Sequence, residues 1–122
     1  FAAVMRFMQR HICRLDPWPE MLLEFDPMES APYRVMWGEN EFTITGNLRT
    51  WDRGARLGEV RVPALVTCGR YDEATPACAR TLARGIPGAR LHVFERSAHM
   101  TFLEQPEEFV RVVREFLRAV DR

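Results

Sequence analysis

The chain has 122 residues, 47% hydrophobic and 28% charged, the make-up of one globular domain and not of a disordered or membrane-embedded segment. Its 17 basic and 17 acidic residues cancel, and the arginines are scattered, which argues against a nucleic-acid-binding surface. Three cysteines, Cys13, Cys68 and Cys78, with no C-x-x-C spacing, argue against a disulfide framework or a closed zinc site.

Residues 2–13, AAVMRFMQRHIC, carry apolar side chains at 4, 5, 8 and 12, a helical period. His11 and Cys13, two positions apart on that helix, face different ways and so make no obvious pair. Pro17 and Pro19 end the helix by forcing their predecessors toward extended geometry. A short helical piece is predicted over 19–25, stopped at Asp26-Pro27, and another turn over 31–37. Residues 38–47, GENEFTITGN, have Gly near both ends and no clean period, and read as an ordered loop.

From Val62 the pattern changes to alternating strand and helix. VPALVTCG (62–69) and ARLHVFE (89–95) read as buried strands. The helix between them is predicted to start at Thr75 as N-cap with Pro76 in its first turn, and to stop at Gly85. A last helix, 106–120, starts with Pro106, Glu107 and Glu108 and carries one apolar stripe at 109, 112, 113, 116, 117 and 120. Cys68 in the strand and Cys78 on the helix read as small buried hydrophobes, and His92, inside a strand, as a packed or edge residue. The predicted class is α/β. Two parallel strands do not make a stable sheet by themselves, so the chain reads as part of a larger parallel sheet, with residues 1–55 a partial helical cap and 56–122 part of the core.

A strand–helix–strand unit is almost always a right-handed parallel crossover. Both strands then finish at one sheet edge, and the loops after them, GRYDEATP (69–76) and SAHMTF (97–102), lie side by side. That brings Asp72 and His99 together. A carboxylate holding one imidazole nitrogen while the other faces a reaction centre is two thirds of a hydrolytic triad. The third member, a nucleophile written G-x-S-x-G, is not in the sequence. Ser30 and Ser97 are its two serines, and neither has flanking glycines. In this hydrolase class the order is Ser, Asp, His, which places the nucleophile upstream of Phe1. The chain also opens without Met, in what reads as mid-helix, so the expectation is a C-terminal half of a larger enzyme, inactive alone.

YDEATPACARTLA, VFERSAHMTFLEQPEEF and MWGENEFTITGNLRTWDR resemble the C-terminal half of the proline iminopeptidases, prolyl aminopeptidase-like α/β-hydrolases. The G-x-x-D and His loops are shared widely among such hydrolases, whereas N-E-F-T-x-T-G (40–46) with W-D (51–52) is more specific. The resemblance implies the C-terminal part of an α/β-hydrolase fold, its last two parallel strands with helices, preceded by part of a helical cap. It implies a serine aminopeptidase with Asp72 as triad acid and His99 as triad base. Glu41 and Glu73 would hold the free amine of a small peptide or amino-acid amide, with Tyr33 near the same pocket. Independently of the resemblance, Trp18, Trp37, Trp51 and the phenylalanines read most simply as packing of cap on sheet. Glu39 stands where that family usually has Pro. No cofactor or metal is implied. The absence of a membrane-length apolar run or a leader is read as cytoplasmic.

Two other readings fit the same residues: another α/β-hydrolase, an esterase or epoxide hydrolase, or a catalytically dead piece acting as a binding module. The nucleophile's identity and a free-amine requirement separate the other α/β-hydrolase from the aminopeptidase.

Overall fold

The computed structural model describes residues 2–23, 30–40 and 42–121. Glu41 therefore lies outside the described residues, as do 24 and 25 of the predicted 19–25 helix. The chain divides into two compact units, Pro19–Arg53 and Phe1–Trp18 with Gly54–Arg122. The N-terminal helix thus groups with the strand-and-helix part of the chain, because its C-terminal end is hydrogen-bonded to the loops that follow the strands.

The larger unit is built on β1 (Leu65–Gly69) and β2 (Arg90–Phe94), parallel and in register from Leu65 opposite Arg90 to Gly69 opposite Phe94. Helix α1 (Ala2–His11) precedes them, α4 (Pro76–Gly85) crosses between them, and α5 (Thr101–Glu104) and α6 (Pro106–Val120) follow. Helix α4 packs on both strands through the buried Ala79. Helix α6 reaches β2 through Phe109, whose ring centre lies 5.9 Å from that of the buried Phe94. Cys13, Cys68, Ala98 and Val112 complete the buried apolar core. The stripe on α6 is covered at Val112, while Leu117 and Val120 are exposed.

Three local expectations change. Cys78 is exposed, not a buried hydrophobe, although Cys68 is buried. Thr75 occupies the N-cap of α4 but its hydroxyl makes no cap bond; it lies 3.5 Å from the Cys78 sulfur instead. Pro76 at the first helical position has no amide proton to leave unpaired. Gly85 ends α4 from within the helix, the next amide, Ile86, bonding to Leu82 O.

Gly69 has a reason that periodicity does not show. A Cβ at this strand end would lie 2.0 Å from Ala98 O and 2.4 Å from Ser97 O. Only a residue without a side chain lets the two loops approach this closely.

The smaller unit contains α2 (Glu20–Leu23), α3 (Ala31–Trp37) and a 3₁₀ turn at Asn47–Thr50. The loop predicted over 38–47 is ordered by its own polar groups. Asn40 Oδ1 accepts the amides of Phe42 and Thr43 at 3.0 and 2.9 Å, and Trp37 O accepts those of Thr45 and Gly46 at 2.9 and 3.0 Å. Gly46 passes so close to α3 that a Cβ would lie 2.3 Å from Met36 O. Asn40 and Gly46 of the N-E-F-T-x-T-G motif therefore have loop-building roles.

Candidate active site

The site is assembled by the two loops at the C-terminal edge of the strands. Arg70 N donates to Phe94 O at 2.9 Å and Tyr71 N to Ser97 O at 3.0 Å, continuing the sheet pairing into the turns. The Arg70 guanidinium grips both carboxylate oxygens of Glu95, at 2.8 and 2.5 Å. This places His99 Nδ1 at 3.0 Å from Asp72 Oδ1, within the hydrogen-bond reach that an acid–base pair requires.

A carboxylate can only accept, so Nδ1 carries the proton and Nε2 is the basic nitrogen of the neutral ring. Asp72 also accepts from Ala74 N at 2.9 Å and from Gly69 N at 3.4 Å. Its side chain is 6% exposed and that of His99 45%, so the acid is shielded while the base presents surface to a reactant. Burial pushes the Asp72 carboxyl up. The hydrogen bond from His99, the Ala74 amide, the attraction of the His99 ring and the Gly69 amide outweigh it and hold the carboxyl below its ordinary value.

A carboxyl lowered in the folded state stabilises the fold above its unfolded value, near 3.9, and that stability is lost as pH falls through it toward the folded value. The difference in unfolding free energy between the native chain and its Asp72→Asn variant should therefore shrink as pH falls below about 5. Urea denaturation from pH 6 to pH 3 measures it, and parallel curves throughout would contradict this pairing.

Glu73 follows on the same loop. It is exposed, and its amide donates to His11 O at 3.2 Å. Tyr33 lies in the smaller unit, half-buried, its ring stacked on Trp37 with centres 6.0 Å apart. The structure thus brings together Asp72, Glu73 and His99. His92, expected to pack or edge the sheet, bonds through Nε2 to Glu108 Oε1 at 2.9 Å and meets Phe94 edge-on.

Ser97 and the two buried thiols do not serve as a nucleophile beside these loops. Ser97 is fully buried and donates to Gln105 Oε1 at 2.8 Å. Burial pushes the thiols of Cys13 and Cys68 up, the opposite of an activated thiolate. Among the described residues, no group of three or more His, Cys, Asp or Glu side chains could hold a metal ion, and no helix is long and apolar enough to cross a membrane.

Three contributors escaped the sequence reading. His11 donates from Nδ1 to Tyr71 O at 2.7 Å, and its own carbonyl accepts the amides of Glu73 and His99 at 3.2 and 3.3 Å. Glu104 bridges Arg14 N and Ala98 N, one oxygen to each, both at 2.8 Å. Gln105 Oε1 accepts from Arg96 N and Ser97 Oγ at 2.8 Å each, while its Nε2 donates to Glu108. The sequence named His11 only as one half of an H-x-C pattern whose residues face different ways, and nothing in it marked the other two.

No protein-family model matches the chain. It is 41% identical over 98% of its length to a proline iminopeptidase of Heyndrickxia coagulans, of which it covers 43%. It is 38% identical over 97% of its length to the proline iminopeptidase of Saccharolobus solfataricus, covering 39%. The crystal structure of a Mycobacterium smegmatis proline iminopeptidase superposes with a TM-score of 0.85 at 40% identity, covering 98% of this chain and 41% of that one. The chain thus has the fold of part of an α/β-hydrolase, and spans about two fifths of the length of the curated relatives it matches.

Proposed function

Because the chain belongs with the proline iminopeptidase family of α/β-hydrolases, we propose that it supplies the acid–base half of a serine aminopeptidase. The observation that carries this is the hydrogen bond of 3.0 Å from His99 Nδ1 to Asp72 Oδ1 at the C-terminal edge of two parallel strands. The nucleophile would come from sequence outside these 122 residues. His99 Nε2 would take its proton as it attacks the carbonyl after the N-terminal residue, often proline, and return that proton to the leaving amine. Asp72 holds the ring in the required tautomer and stabilises the imidazolium that forms. An oxyanion hole beside the nucleophile would lie outside the chain too.

Substrate choice would rest on Glu41 and Glu73 binding the protonated amine, with Tyr33 contributing an aromatic wall. Residues 1–55 would contribute a partial cap segment, with Pro19–Arg53 as its separate unit, and 56–122 part of the core. The chain alone would be inactive, and its setting cytoplasmic.

The experiment is a substrate pair: L-proline arylamide and its N-acetylated form, given to an enzyme in which this chain is joined to the nucleophile-bearing portion of the Heyndrickxia coagulans relative. Turnover of the free-amine compound, with the acetylated one slower by roughly 30-fold or more, is expected from an unpaired buried ammonium partner. Equal turnover of both would favour the esterase reading.

A further inference from the structure

Two catalytic loops held only at their bases would leave the tips, where Asp72 and His99 sit, to set their own separation. In this fold the tips have a second tie. The C-terminal end of α1 lies across both: His11 O accepts the Glu73 amide, next to the acid, and the amide of His99 itself. Ile12 O accepts Met100 N at 2.9 Å. A backbone carbonyl can do this from any residue type, so the question is what aims it. The His11 ring does, donating from Nδ1 to Tyr71 O at 2.7 Å, one residue before the acid. The carbonyl acceptor requires the proton on Nδ1. Phe7 packs against the ring with centres 5.0 Å apart, and the Arg14 guanidinium covers the Tyr71 ring at 3.7 Å.

We infer that His11 is a positioning residue: its side chain locks α1 to the acid loop so that its carbonyl holds the Asp72 and His99 tips in hydrogen-bond register. This rests on the reading of Asp72 and His99 as the acid–base pair. His11 touches neither of those side chains and acts through the backbone.

The test uses the geometry of the donor. Asparagine carries its amide nitrogen the same number of bonds from Cα as histidine carries Nδ1, whereas glutamine carries it one bond further. The readouts on this chain are the NMR resonance of the His99 Nδ1 proton, which the bond to Asp72 shelters from exchange, and the exchange rates of the Glu73 and His99 amides. His11→Asn should keep the resonance. His11→Gln and His11→Ala should lose it, with those two amides exchanging about fivefold faster or more, the factor that one hydrogen bond of ordinary net strength represents. Asp72→Ala, which leaves no acceptor for the Nδ1 proton, serves as the control. If it abolishes the resonance while His11→Gln retains it with native exchange rates, the positioning role is overturned and the acid–base pair stands. If the resonance survives Asp72→Ala, the pair itself fails. Should His11→Ala not fold, the Asn and Gln variants decide, and equal behaviour of those two overturns the proposal.

Discussion

Replacing His99 with alanine in the assembled enzyme should lower kcat by about 10⁴- to 10⁶-fold, the range over which triad members act as a unit. Two parts of the geometry set that expectation. The ring is the more exposed partner of a pair whose acid is shielded, and the acid accepts the Nδ1 proton, leaving Nε2 as the basic atom. Without the ring the nucleophile keeps its proton, and the leaving amine has no acid to protonate it. Asp72→Asn should be milder, about 10⁴-fold, because the ring remains but its preferred tautomer and the support for its positive charge are lost. The double variant should cost little more than His99→Ala alone, since both act on one step. Single-turnover kinetics on an aryl ester, where binding contributes little, would show this; additive losses would mean that the two residues act separately.

The second large effect separates substrates by charge. A protonated α-amine taken out of water without a partner is expensive, and two carboxylates, Glu41 and Glu73, are proposed to offset that cost. Glu73 stands directly after Asp72 on an exposed turn, where its charge is available to a ligand. Its backbone amide is already taken by His11, which fixes the main chain and leaves the role to the carboxylate. Removing either carboxylate should cost on the order of 2–5 kcal/mol in binding the ammonium. Glu41→Gln or Glu73→Gln should therefore cut turnover of an amino-acid arylamide by roughly 30-fold or more and leave a simple aryl ester nearly unchanged. An equal loss on both substrates would make these glutamates structural and remove the main support for amine recognition.

What the sequence disclosed, and what it did not, follows from the range of the interactions. β1, β2, α4 and α6 were legible because each is written in its own residues: short apolar runs, Pro76 and Pro106 in first turns, a stripe along α6. The meeting of Asp72 with His99 was legible because crossover handedness turns two local patterns into one long-range contact. The service of α1 to that contact was not, since its binding group is a peptide carbonyl, which every residue possesses. The approach of Gly69 to Ala98 O was equally silent, as a glycine marks many kinds of turn. Ser97 shows the reverse: the sequence set it aside for lacking flanking glycines, and its buried bond to Gln105 explains why a polar residue is there. Nothing in the structure accounts for the use of arginine at every basic position.

The most direct measurement of the central claim is hydrolysis of L-proline arylamide by this chain alone and by the same chain joined to the portion of the Heyndrickxia coagulans relative that it does not cover. The account predicts no turnover from the chain alone, turnover from the joined enzyme, and its loss on His99→Ala. Turnover that survives His99→Ala, in either form, would contradict it.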